Sequence, residues 1–357
     1  MRGTVMNVDI DDLTHWRSQL AAHWDFAADE PLVRLDGEYD LNFAVGDCAV
    51  LKVMRPGCDR SFIRMQIEAL AHCAANLDVA WLPTVRMTPD GEVIATLKDA
   101  VGTERLAWVM SRCQGRALGT APHVPLSTIQ AVGKAHGQLS AALASFSHPA
   151  LYREIKWDLT QPLWARRYLE LVAADERRGQ LAGILGTFER DVAPALSALP
   201  VHAIHNDLND FNILLGDGAF ALDEVTGIID FGDMIAGPRI CDVAIAAAYL
   251  VLNQPQPIDA LCAYVTAFCS TQSLDTEELD LLWPLLLTRL AFSVLNAASV
   301  AKAKPDDPYV MISQAPIERF LAKLLAFDPD VVRGCIRQAA GHTAVDHHDA
   351  ATAWIAR

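Results

Sequence analysis

Two short segments of this 357-residue chain combine side chains whose types and spacing suit chemistry on a phosphate. The first is His205-Asn206-Asp207-Leu208-Asn209-Asp210-Phe211-Asn212, an H-x-D-x-x-x-x-N arrangement, and the second is Ile228-Ile229-Asp230-Phe231-Gly232. Phosphoryl transfer to an alcohol needs one carboxylate that faces the attacking hydroxyl, holds it in line and accepts its proton late. It also needs hard oxygens that hold a divalent cation against the phosphate. Asp207 fits the first role. Asn212 and Asp230 fit the second, because Mg²⁺ keeps several waters and needs few protein ligands. An Asp near a turn is usually a cap, and D-F-G alone occurs by chance. It is the order and spacing of the set that point to chemistry.

The N-terminal third supplies a second group. Val50-Leu51-Lys52-Val53 places one Lys among apolar strand residues, where an ammonium is either at an edge or on a phosphate. Glu68, 16 residues on within an apolar helix, is its expected partner. The turn Asp36-Gly37-Glu38-Tyr39-Asp40-Leu41-Asn42 occupies the place of a phosphate-covering loop, with Gly37, Tyr39 and Asn42 as candidate contacts. It has one Gly and does not match G-x-G-x-x-G. Trp108-Val109-Met110-Ser111 is the expected hinge, with Val109 and Met110 meeting the purine edge. Asp242, which follows Gly237-Pro238 at a helix start, is read with His205 as support for the 205–212 loop.

These residues need a fold to bring them together. VRLDG, LNFAVG and CAVLKVM read as strands separated by turns at Asp36-Gly37 and Gly46-Asp47. Residues 61–77 read as a helix, TVRMT and EVIATL as further strands, and 106–112 as the last one. The expectation is an α+β, bilobal protein-kinase-like fold. Its small N-lobe, residues 1–112, carries a five-stranded antiparallel sheet, one main helix and an N-terminal helix near 8–24. A larger, mostly helical C-lobe spans 113–341, with a strand pair at NILLG and VTGIIDFG, and 342–357 form a flexible tail. That tail holds His342, His347, His348 and Asp349, without rigid neighbours to make a metal site.

Composition narrows the partners. A formal net charge of −15 repels nucleic acid and anionic membrane. Eight cysteines without a C-x-x-C suit buried thiols in a reducing compartment. The N-terminus has no unbroken apolar run, and the apolar stretch from Trp283 to Ala301 is interrupted by Arg289 and Asn296, as in a buried core helix. A cytoplasmic location is expected.

The motif set resembles the aminoglycoside phosphotransferase and choline kinase superfamily, and within it the hydroxylysine kinase family. GEYDLNF is similar to that family's S-Y-D-D-Q-N-F. The 205–212 loop is similar to G-D-L-N-D-H-N, with Asn206 for Gly and Phe211 for His. TGIIDFGDM is similar to S-G-I-L-D-F-G-D-M. The resemblance implies a small-molecule kinase that moves the γ-phosphate of Mg²⁺-bound ATP or GTP to the hydroxyl of an amino-bearing metabolite, such as a hydroxylysine-like amino alcohol or amino acid. Asp233 and Asp158 are candidates for its ammonium, and Trp157 for its alkyl part or for the core. Arg289, the one charge in its apolar helix, is a candidate for a substrate carboxylate or the partner of a structural one. An antibiotic phosphotransferase and a nucleotide-binding pseudokinase scaffold are the alternatives. The scaffold has no need of Lys52, Asp207, Asn212 and Asp230 together.

Overall fold

Burial alternates along β3 (Ala49–Val53), so that Ala49, Leu51 and Val53 point into the core while Val50 and Lys52 point to the other face. That register fixes the face on which Lys52 stands. The structure is a computed structural model and describes residues 10–37, 39–121, 123–217, 223–303 and 314–347. The chain divides into two compact units, Met1–Gln114 with Gly227–Ile229, and Gly115–Thr226 with Asp230–Arg357.

In the smaller unit the strands are β1 (Leu32–Leu35), β2 (Leu41–Val45), β3, β4 (Val85–Arg86), β5 (Ala95–Lys98) and β6 (Glu104–Ser111). They form one antiparallel sheet in the order β1-β2-β3-β6-β4, with β5 also on β6. The sheet therefore has six strands where five are expected from the sequence. Each of the six segments read as strands is present; the shortest, β4, keeps two residues of TVRMT ahead of the turn around Pro89-Asp90-Gly91. Helix α1 (Ile10–His23) and the residue after it pack Trp16, Leu20 and Trp24 against Phe43, Leu51, Val53 and Leu97. Helix α2 (Arg60–Asn76) begins one residue earlier than its sequence suggests. The carboxylate of Asp59 accepts the Ser61 N–H at 2.8 Å and caps it.

Trp108–Ser111 are not a connection. They lie inside β6, where Val109 and Met110 are buried and pair with β3 on one side and β4 on the other. The continuous apolar run LAWVM, buried from Ala107 to Met110, extends the strand, and the boundary between the units falls after Gln114.

The larger unit is built on α3 (Leu126–Leu143), α4 (Asp175–Thr187), α5 (Ala193–Leu196), α6 (Arg239–Val251), α7 (Pro257–Cys269), α8 (Thr276–Ala303), α9 (Gln314–Leu325) and α10 (Pro329–Ala339). The segment Pro162–Leu171 is a 3₁₀ helix, and α4 runs into α5 through a π turn at Phe188–Val192. Short strands pair as β7 (Arg116–Ala117) with β9 (Ile213–Leu215), and β8 (His202–Ile204) with β11 (Ile235–Gly237); β10 is Val225–Ile228. The pair β8–β11, too short for periodicity to reveal, frames both motif loops. Helix α8 is long and apolar enough to cross a membrane, yet 83% of its most apolar window is buried inside the protein. Two ion pairs fix it: Arg239 donates to both oxygens of Glu278 at 2.7 Å, and Arg337 to Asp280 at 2.7 and 2.6 Å. Within the stretch expected to be a loose tail, His342 bonds the Leu274 carbonyl at 3.0 Å and Asp346 accepts from Arg337 at 2.8 Å. His348, Asp349 and the residues to 357 lie outside the described residues.

Helices α3 and α7 meet at glycines. A Cβ on Gly133 would lie 2.6 Å from the Tyr264 carbonyl oxygen, and one on Gly137 would lie 2.6 Å from that of Phe268. No L side chain fits there, and the close approach sets His136, between the two glycines, against Tyr264. Gly133→Ala is expected to force the helices apart and to lower unfolding free energy by about 1–3 kcal/mol. A urea titration followed by circular dichroism checks this, and an unchanged midpoint would show that the packing tolerates a methyl group.

Candidate active site

The 205–212 loop leaves β8 with Asn206 in a left-handed conformation, φ 64°. Side chains other than Gly rarely adopt it, and Asn is among the few that tolerate it. Asn206 is therefore a residue type compatible with the turn this loop makes. Behind the loop lies Asp242, on the first turn of α6 and almost fully buried. Its carboxylate accepts the backbone N–H of Asn206 at 2.7 Å and that of His205 at 3.1 Å. His136 Nε2 lies 3.2 Å from the same carboxylate, and His136 Nδ1 lies 2.6 Å from the Tyr264 hydroxyl. Burial pushes this carboxyl up. The hydrogen bond and charge of His136, the charge of His205 and the Asn206 N–H outweigh that, and hold it below the ordinary carboxylate range. The His205 ring stacks edge-on against Phe231 of the D-F-G segment, centroids 4.8 Å apart.

Asp207 follows with its side chain 21% exposed. Its Oδ2 accepts from Asn209 Nδ2 at 3.0 Å and from Asn212 Nδ2 at 2.9 Å, and its Oδ1 accepts from Arg289 Nη2 at 3.0 Å. Enclosure by the protein pushes the carboxyl up to about 7; Arg289 pulls it down, while Asp233 and Asp230 push it up. A divalent cation nearby would oppose the last two. Asn212 also donates to the Asp207 carbonyl at 2.7 Å. With its amide nitrogen spent, its Oδ1 accepts no hydrogen bond from the described residues. Asp230 is exposed, likewise left-handed at φ 64°, and opens the 3₁₀ turn Phe231–Asp233.

Arg289 is 2% exposed on α8, stacked 4.6 Å from the Trp157 ring centroid and 5.6 Å from that of Tyr249. Of the two roles open to it from sequence, the geometry supplies a protein carboxylate, Asp207. Its Nε and Nη1 are buried without a hydrogen-bond partner among the described residues. Asp158 closes a local turn, accepting the Thr160 N–H at 2.8 Å and its hydroxyl at 2.7 Å. Trp157 is half-buried with its ring on Phe292, and its carbonyl accepts from Asn206 Nδ2 at 3.5 Å.

In the smaller unit Lys52 lies opposite Asn42 and Trp108 in the sheet register. Glu68 is exposed on α2 between buried Ile67 and Ala69. Asn42 donates to the Asp36 carbonyl at 3.2 Å and so braces the turn at Gly37, where a Cβ would collide with its own amide. Tyr39 is exposed beneath the Arg55 guanidinium.

Sequence reasoning missed His136, Tyr264 and Arg153. The first had a signal in its two flanking glycines on an apolar helix. Arg153, which donates to the Gly232 carbonyl at 2.6 Å and that of Ala150 at 2.8 Å, had none. The depressed Asp242 carboxyl contributes stability that is present above the unfolded carboxylate range and lost as pH falls toward the folded value. Asp242→Asn is therefore expected to cost about 3 kcal/mol at neutral pH, with the gap to wild type closing below about pH 4. Denaturant titrations at pH 7 and 3.5 measure it, and a pH-independent gap would contradict the charge assignment.

Residues 32–282 match the phosphotransferase enzyme family, APH. Among curated proteins, hydroxylysine kinase of Bos taurus is 28% identical over 261 residues, 69% of each chain. That of Danio rerio is 28% identical over 206 residues, and the matched part spans 56% of this chain and 58% of the relative. Among solved structures, amicoumacin kinase hAmiN, in complex with AMP-PNP, Ca²⁺ and Ami, superposes with TM-score 0.64 at 13% identity, covering 91% of this chain and 99% of that one. A microcompartment-associated aminopropanol kinase superposes with TM-score 0.63 at 20% identity, covering 88% and 98%. These neighbours share the bilobal kinase-like fold expected from the motifs. With most of its length matched, the chain belongs to the phosphotransferase enzyme family.

Proposed function

We propose that the protein is a small-molecule kinase that transfers the γ-phosphate of a Mg²⁺-bound purine nucleotide, ATP or GTP, to the hydroxyl of an amino-bearing metabolite of the hydroxylysine kind. The reading is carried by one observation: the Asp207 carboxylate is held by Arg289, Asn209 and Asn212, on a loop locked from behind by Asp242. A carboxylate held at both oxygens cannot turn away from an incoming hydroxyl, which orients the hydroxyl and takes its proton late. Arg289 positions Asp207.

Asn212 Oδ1 and the Asp230 carboxylate are the hard oxygens that would hold Mg²⁺, and both suit its preference for oxygen donors. When bound, the ion neutralises charge on the phosphates. Lys52 would bind the α- and β-phosphates, with Glu68 orienting it. The Gly37–Asn42 turn would cover them, with Tyr39 exposed at its tip. Val109 and Met110 bound the adenine or guanine site as strand residues of β6. Asp233 provides negative charge for the acceptor's ammonium. The relatives found by sequence are hydroxylysine kinases, which favours a metabolite over an antibiotic as acceptor.

Asp207→Asn is expected to lower kcat at least about 10³-fold while nucleotide affinity stays within a few-fold. Turnover is read by nucleoside diphosphate release with a panel of hydroxylysine, threonine, homoserine, ethanolamine, choline and kanamycin. Asp230→Asn is expected to weaken Mg²⁺-dependent nucleotide binding, read by calorimetry. Retained turnover in the first variant would remove the proton acceptor, and unchanged affinity in the second would remove the metal ligand.

A further inference from the structure

Three cations gather on one aromatic wall of the larger unit. Trp157 and Trp164 both rest on Phe292, with centroids 5.1 and 5.3 Å away, and Tyr168 stands edge-on to Trp164 at 5.8 Å. Trp157, Trp164 and Tyr168 are half-buried, whereas Phe292 is fully buried. Lys156 Nζ lies 5.8 Å from the Trp157 centroid and 6.0 Å from that of Trp164. The Arg167 guanidinium lies 5.5 Å from Trp164 and 5.7 Å from Tyr168. Arg289 covers the Trp157 ring at 4.6 Å and bonds Asp207. The wall therefore stands one side chain away from Asp207, and the Trp157 carbonyl is itself bonded to Asn206.

The charge on this wall is not balanced. In a chain of net charge −15, Lys156 makes no hydrogen bond or ion pair with any described residue, and Arg167 bonds only the Trp164 carbonyl, at 2.7 Å. Of the acids nearest in sequence, Glu154 and Glu170 are exposed and Asp158 accepts from Thr160, and none of the three bonds either cation. Arg166, next to Arg167, shows the contrast: it is paired with Glu189 at 2.8 Å. Cations stacked on a shared ring system gain a little from the rings and lose by mutual repulsion. An anion placed among them relieves that repulsion. The rings beside it suit an aliphatic chain, and the cations reject a polyamine or a quaternary ammonium.

We infer that Lys156 and Arg167 form an anion subsite for the acceptor, which takes the carboxylate of a hydroxy amino acid while its hydroxyl meets Asp207. The inference rests on the kinase reading above. Both residues set specificity, not chemistry, so their removal acts on KM and not on kcat.

The test uses acceptor pairs that differ only by the carboxylate: threonine with 1-aminopropan-2-ol, serine with ethanolamine, and 5-hydroxylysine with 1,5-diaminopentan-2-ol. Steady-state kinetics are measured on the full chain and on Lys156→Met, Arg167→Gln and Lys156→Arg. Wild type is expected to prefer the acid of a pair. Lys156→Met should cut the ratio of kcat/KM, acid over decarboxylated partner, at least about tenfold, through KM with kcat within about twofold. Arg167→Gln should act in the same direction, and Lys156→Arg should restore most of the ratio. An unchanged ratio in both neutral variants, or turnover confined to acceptors without an anionic group, overturns the subsite and leaves the kinase reading standing. Absence of acceptor-dependent nucleoside diphosphate release with every compound overturns both.

Discussion

Much of the larger unit is organised around one buried carboxylate. Asp242 is almost fully buried, and burying a carboxylate unpaired would cost several kcal/mol. It is tolerated because its oxygens face two backbone N–H groups and an imidazole. Those partners cannot be assembled locally. Asp242 comes from the start of α6, the N–H groups from the turn after β8, and the imidazole from α3, which reaches it only because two glycines let α3 close on α7. A constraint that draws on three distant elements is satisfied by one arrangement of them, and that arrangement places Asp207 at the open edge.

The second constraint concerns charge. Asp207, Asp230 and Asp233 act on one another, and a carboxyl in such company resists ionisation. Arg289 offsets part of that by presenting its guanidinium from α8, otherwise an apolar core helix. The remaining excess of negative charge is what a divalent cation would neutralise. Arg289 also stacks on Trp157, and the rings beside it carry Lys156 and Arg167, which leave the aromatic wall positive. A molecule with opposite charges at its two ends would meet matching fields at both.

Much of this was legible from residue types and order. The spacing of the 205–212 motif sets Asn212 within reach of Asp207, which it bonds, and Asp242 at a helix start is a visible candidate for the carboxylate that accepts from the loop backbone. Among the strands of the smaller unit β3 alternates, burying every second residue, while β6 is a continuous apolar run. What stayed hidden has physical reasons. β8 and β11 are three residues each, below the length at which a period can be recognised. The strand at 106–112 is legible and ends within a residue of β6, but the pairing of Val109 and Met110 on both sides is a tertiary fact. Arg289 was visible as a lone cation, but its partner lies 82 residues away. Lys156 and Arg167 carry no motif, and only the clustering of rings around them gives them a role.

The interaction that all this depends on is reached most directly by hydrogen exchange at the backbone amides of His205 and Asn206. Both are expected to be protected as strongly as the helical amides of α3 and α6, opening only with the whole unit, because the Asp242 carboxylate holds them. Exchange at the rate of an exposed loop, with α3 and α6 still protected, would show that the loop is not pinned and would contradict the account of how Asp207 is positioned.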